Sequence, residues 1–235
     1  NSEVQPKGSA VIRDGSITVK ILDRILSTDE SFGKTDRQRT KQIGSHFRNE
    51  FQKFRNEIED ASYFQKDILV EFRYKGNDVY KAVKTDFKAH KSIYKKFVDI
   101  LPKKGSIIHL SKDHGQLDVL LSMDSADRKI HSYFPEEEIR KLVANTFTSQ
   151  YRGRITVYDS EEKVLKEKAA SLIINLNTFD VVQRANEIND EIAILIVLKQ
   201  SVEASEKSIA ALGFELVHQE KNLAVWHRTR LNFLH

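Results

Sequence analysis

The chain has 235 residues, 40% of them hydrophobic and 31% charged, with a net charge of +4, a pI near 9.0 and a mean hydropathy of −0.48. That is the composition of a globular protein with enough apolar side chains for one large domain or two small ones. The absence of cysteine excludes disulfides, thiolate metal centres and cysteine nucleophiles, and no run of eighteen apolar residues offers a membrane-spanning helix.

The first ten residues, NSEVQPKGSA, hold no apolar signal core. VIRDGSITVKI (11–21) predicts a hairpin turning at Asp14-Gly15, with Ile17, Val19 and Ile21 alternating with polar residues. A helix is expected from Thr35, where Gln38 completes a capping box. Ile43, Phe47, Phe51, Phe54 and Ile58 then recur at helical spacing as one apolar stripe. ILVEFRYKGNDVYKAV (68–83) predicts a second hairpin, with Ile68, Val70, Phe72 and Tyr74 on one face and a turn at Gly76-Asn77-Asp78. A helix from Thr85 to about Leu101 follows, stopped by Pro102.

LPKKGS (101–106) is the best internal boundary, giving units 1–104 and 105–235 or one compact domain. SIIHLSKDHGQLDVLLS (106–122) predicts a third hairpin, turning at Asp113-His114-Gly115. PEEEIRKLVANTF (135–147) is a helix whose leading acids and later bases suit the helix dipole. RITVYDSEEKV opens a strand-turn segment, and a helix is expected near 178–190. EIAILIVLK (191–199) is apolar on both faces and predicts a central strand. A helix capped by Ser201 and stopped by Gly213 precedes a closing hairpin in ELVHQEKNLAVWHR. The expected class is α+β: a mixed or antiparallel sheet built from hairpins and packed with amphipathic helices.

The most unusual segment is KAVKTDFKAHKSIYKKF (81–97), with six lysines. Lys84, Lys88, Lys91 and Lys95 fall on one face of the expected helix, away from Phe87, Tyr94 and Phe97. Between Arg73 and Lys104 there are ten bases and three acids, a local excess of +7. Like charges one turn apart repel by a few tenths of a kcal/mol per pair, so a polyanion is the partner that relieves them. Arg73, Lys75, Lys81, Lys84, Lys88, Lys91, Lys95 and Lys96 are therefore the expected phosphate contacts of a non-catalytic nucleic-acid-binding protein, DNA or RNA, without cofactor. An acidic protein surface is the second partner class; a membrane is disfavoured because the helix has no large exposed apolar face. A cytoplasmic protein, more a binder than an enzyme, is the resulting expectation.

Two weaker constellations carry chemistry. His109, Asp113 and His114 in HLSKDHGQLD are metal-ligand residue types, but a polar turn accounts for them. Asp118 with Glu161, Glu162 and Lys163 has the acid, acid and lysine composition of a magnesium-dependent nuclease or other phosphoryl-transfer site. No glycine-rich phosphate loop and no nucleophile elbow is present.

Overall fold

The computed structural model describes residues 18–26, 29–59, 61–147, 151, 153–176, 179–181, 183–198, 206–220 and 222–229. The chain divides into two compact units, Asn1–Ile58 and Glu59–His235.

Unit one is dominated by helix α1 (Asp36–Ile58). Its capping box forms as the spacing predicts: Gln38 N–H donates to Thr35 Oγ1 at 3.3 Å and Thr35 N–H to Gln38 Oε1 at 3.4 Å. Lys20 pairs with Glu57 at 3.1 Å and lies over the Phe54 ring. Phe47 and Phe51, from the apolar stripe, are exposed. The hairpin expected over 11–21 falls largely outside the described residues, and 18–21 form no strand.

Unit two opens with three helices before its first strand. Helix α2 (Ala61–Phe72) buries Ala61, Phe64, Ile68 and Phe72, spaced three, four and four. This 3.6-residue repeat overrides the two-residue alternation in 68–74, and Tyr74 is left exposed; no second hairpin forms. Gly76, at φ +106°, turns the chain into helix α3 (Asn77–Ala89). The single helix expected over 85–101 is in fact broken. His90, at φ −118° and ψ 26°, separates α3 from helix α4 (Lys91–Ile100). The LPKKGS link then leads from α4 into strand β1 (Gly105–Ser111) inside unit two.

From there strands and helices alternate: helix α5 (Gln116–Asp124), strand β2 (Arg128–Tyr133), helix α6 (Glu137–Phe147), strand β3 (Ile155–Tyr158), helix α7 (Glu161–Leu165), strand β4 (Ser171–Asn175) and strand β5 (Ile194–Leu198). Helix α8 (Glu206–Ala211), strand β6 (Phe214–Glu220) and strand β7 (Leu223–Arg228) complete the unit. The seven strands stand in the order β3-β2-β1-β4-β5-β7-β6. All pairings from β3 to β5 are parallel; β7 alone runs against its neighbours.

This corrects the expected fold class. The unit is a doubly wound α/β sheet, not an α+β sheet of hairpins. The third predicted hairpin is a strand followed by a helix: β1 does not turn back at Asp113-His114-Gly115 but enters α5, and its next strand, β2, lies parallel to it. Alternate residues of each strand feed two cores. Ile107, Ile130, Ile173 and Ile196 meet α2 to α6 on one face; Ile108, Leu172, Leu195 and Trp226 meet α7 and α8 on the other. The closing hairpin forms as read, and β5 is internal, as its two-sided apolar run predicts. Among the described residues near 178–190, a 3-10 turn, Ala185–Glu187, stands in place of the expected helix.

Candidate active site

In a doubly wound sheet, ligands sit beyond the carboxyl ends of the strands where the strand order reverses. Here the chain runs outward from β1 through β2 to β3, then returns to place β4 on the other side of β1. A cavity of about 330 Å³ lies against that reversal. The turn after β1 contributes Lys112, Asp113 and His114; α5 contributes Gln116 and Leu117; Asn175 ends β4 and Leu198 ends β5. The opposite wall comes from Ala82 and Asp86 of α3, His90 at the break, and Ile93, Tyr94 and Phe97 of α4.

The turn closes on itself. Asp113 N–H donates to Ser111 Oγ at 3.1 Å, His114 N–H to Gln116 Oε1 at 2.8 Å and Gly115 N–H to Asp113 Oδ1 at 2.8 Å. Three successive backbone donors, which in a glycine-rich loop would face a ligand, are thus engaged by side chains of the turn itself. Gly115 is in the left-handed region at φ +83°, and a Cβ there would stand 2.7 Å from Val143 Cγ2. Its bareness serves packing against α6.

The wall from α3 and α4 is a closed hydrogen-bond network. Asp86 Oδ1 accepts from His90 Nδ1 at 2.8 Å, and Asp86 Oδ2 accepts from Gln116 Nε2 at 3.0 Å and from the Tyr94 hydroxyl. Gln116 Nε2 also donates to the Tyr94 oxygen at 3.2 Å. Burial, then the Asp86 carboxylate, pushes the Tyr94 hydroxyl well above the ordinary phenol range. Asp113 is pushed up to about 6, mainly by desolvation. Desolvation also holds His114 below the usual imidazole value.

Behind the turn lies a second, fully buried group. His109 Nδ1 and Asp118 Oδ1 are 2.6 Å apart, and Ser132 Oγ donates to Asp118 Oδ2 at 2.6 Å. Desolvation opposes protonation of His109, but the Asp118 charge and hydrogen bond, with Asp113 adding, outweigh it and the imidazole pKa is raised. His109 Nε2 has no hydrogen-bond partner among the described residues.

Asp113 and His114 thus reach the cavity while His109 stands behind it; among the described residues no three His, Asp or Glu are placed to hold a metal ion. Asp118 and the trio Glu161, Glu162 and Lys163 do not converge. Asp118 is buried in α5 on one face of the sheet, whereas α7 packs its Val164 and Leu165 on the other. Glu161 is paired with Arg184 and Lys163 with Asp159.

The lysine face is divided as well. Lys81, Lys84 and Lys88 extend from α3 and Lys91, Lys95 and Lys96 from α4, while Arg73 and Lys75 lie in the turn before them. Lys96 is 3.9 Å from Glu220, and Lys84 lies over the Tyr80 ring. The expectation of a non-catalytic nucleic-acid binder built on one lysine helix is therefore replaced. The helix is two, and their inner residues wall a cavity at the carboxyl edge of the parallel strands. Lysines surround Asp86 and His90 in the sequence and mask them, and Tyr94 reads as a core anchor; the spacing of four and four is the signal that places the three on one side of a helical path.

No protein-family model matches the chain, and no curated protein resembles it in sequence. Solved structures resemble its fold at low identity. M. capricolum TrmK in complex with S-adenosyl-homocysteine is 12% identical over 57% of this chain and 66% of its own, with a TM-score of 0.44. Magnesium protoporphyrin IX methyltransferase from Synechocystis with bound SAM is 13% identical over 72% and 94%, at 0.46. A SAM-dependent O-methyltransferase from Thermotoga maritima is 15% identical over 60% and 65%, at 0.46. The chain spans just under two thirds of the first and third of these proteins.

Proposed function

We propose that unit two is a methyltransferase that takes S-adenosylmethionine in the cavity beyond β1 and β4. The observation that carries this reading is the charge of the cavity at the reversal of strand order: two carboxylates, Asp86 and Asp113, line it, and the turn beside them has no backbone donor to spare. A pyrophosphate-bearing dinucleotide does not fit such a site. Its anion would meet two carboxylates, and the amides of Asp113, His114 and Gly115 are already engaged. A cationic sulfonium donor does fit. Asp113 and Asp86 complement its positive groups, Lys112 faces a carboxylate, and Asn175 supplies amide donors and an acceptor. Apolar Ile93, Phe97, Leu117 and Leu198 give the remaining surface for a flat ring. When bound, the donor supplies an electrophilic methyl carbon on positively charged sulfur.

The acceptor is a separate question. The lysines of α3 and α4 favour an anionic acceptor, nucleic acid included, brought to the cavity from outside. Calorimetric titration of the whole protein tests the donor reading. S-adenosylmethionine should bind, S-adenosylhomocysteine should bind without the contribution from the sulfonium charge, and NAD should not bind. Asp113→Asn should weaken S-adenosylmethionine at least tenfold, a change of about 1.4 kcal/mol. Tight NAD binding, or no heat with either adenosyl compound, overturns the reading.

A further inference from the structure

We propose that His90 is the general base of this site, oriented by Asp86, and that the acceptor attacks through a hydroxyl or N–H group whose proton His90 removes. This rests on the reading of the cavity as a methyl-transfer site. The hydrogen-bond roles around the His90 ring are forced. Gln116 has its amide oxygen fixed by the N–H of His114 at 2.8 Å, so its Nε2 must point the other way, to Asp86 and Tyr94. Tyr94 accepts from Gln116 and so gives its own proton to Asp86. Asp86 is left as an acceptor at both oxygens, and His90 must carry its proton on Nδ1 to donate at 2.8 Å. Nε2 then holds the lone pair. The ring lines the cavity, its side chain is 29% exposed, and no partner for Nε2 is found among the described residues.

A nucleophile oriented by a base that is itself oriented by a carboxylate is the recurrent arrangement for drawing a proton from a weak acid. The placement has a structural reason. His90 is the residue at which the helical path breaks, so its ring is presented at the joint between α3 and α4. Asp86 reaches it from one turn earlier and Tyr94 holds Asp86 from one turn later. The step balances without a further reactant. As the acceptor's O–H or N–H bond breaks, its proton passes to His90 Nε2. Its electron pair forms the bond to the methyl carbon, and the carbon–sulfur pair remains on sulfur, discharging it. The exposed edge of His90 returns the proton to water. The other charged and titratable groups that line the cavity with His90 are Asp113, His114 and Lys112 from the turn after β1, and Lys91 follows it in sequence at the start of α4.

The experiment combines two readouts on the full chain. Nitrogen-15 spectra of the histidine side chains, at neutral pH with S-adenosylhomocysteine bound, should show His90 with its proton on Nδ1. Asp86→Asn, which offers an amide in place of the carboxylate, should release that preference. A wild-type His90 protonated on Nε2 overturns the proposal without any assay. In turnover with phenol and imidazole as probe acceptors, His90→Gln should lower kcat by about 10² to 10⁴-fold, leaving the donor's affinity within about threefold. Donor binding that persists together with unchanged kcat overturns the base and keeps the cavity reading; loss of donor binding by the wild-type protein overturns the cavity reading itself.

Discussion

Asp113 and His109 both make the fold less stable as pH rises, for different reasons. The Asp113 carboxyl, chiefly through desolvation, keeps its proton to about 6 in the folded chain against 3.8 when exposed. Between about pH 4 and 6 the unfolded chain has therefore lost a proton that the folded chain still holds, and stability falls by roughly 3 kcal/mol across that window. Urea unfolding of Asp113→Asn should be flatter over the same range than that of the parent. His109 is also raised, from 6.5, because Asp118 overcomes the burial that opposes its charge. Its contribution is complete at low pH and disappears as pH climbs from 6.5 through the folded value. Asp118→Asn removes one half of a pair with no exposed surface and leaves Ser132 a poorer acceptor, so a loss of about 3 kcal/mol or more is expected in urea at pH 6. Gly115→Ala combines a left-handed backbone with a Cβ 2.7 Å from Val143. It should cost about 1–3 kcal/mol, part of which Val143→Ala restores by opening the space. HLSKDHGQLD is conspicuous in the sequence for its polar residues, but residue types do not say which side of a strand each one takes. His109 alternates inward, and the turn beyond it, with Gln116 and Leu117 of α5, meets the cavity.

At the level of elements, the break between α3 and α4 decides what the lysines do. Lys84 and Lys88 remain four apart on α3, with Lys81 three before Lys84, and Lys91 and Lys95 are four apart on α4, so each helix keeps like-charged neighbours on its outer surface. Lys88→Glu gains a few tenths of a kcal/mol from the first pair but sets an acid in the last turn of α3 against the helix dipole by a similar amount, so stability read from the urea midpoint should change by less than about 0.5 kcal/mol. A large loss would mean that Lys88 has a role the helix geometry does not give it. Elements with strong local signals are readable from the chain alone: the capped α1, the acid-led α6, the two-sided apolar β5 and the final hairpin. Those misread share one cause. A short apolar run such as ILVEF satisfies a strand's alternation and a helix's stripe equally over five residues, and only Ala61 and Phe64 upstream break the tie. The break at His90 has no proline or glycine to announce it.

For unit two as a whole, the parallel order is the property least accessible to a local reading, since nothing in β1 states that its partners are β2 and β4 rather than the segment that follows it. Central strands carry both cores, so Ile173→Ala, a fully buried change on β4, should cost about 2–5 kcal/mol and shift a single cooperative transition. Calorimetry that resolved a separate early transition for the sheet would contradict this. The position of β7 has a consequence for a chain emerging from the ribosome. Of the seven described strands β7 comes latest in the chain, yet it lies between β5 and β6, and among the described residues β6 has no other neighbour in the sheet. Until residues 223–228 have been synthesised, β5 shows an open row of amides and carbonyls along a very apolar sequence, and β6 has nowhere to dock. A released chain ending just before Leu223 would therefore hold a sticky, unfinished sheet that recruits chaperones, and residues 223–228 would seal it.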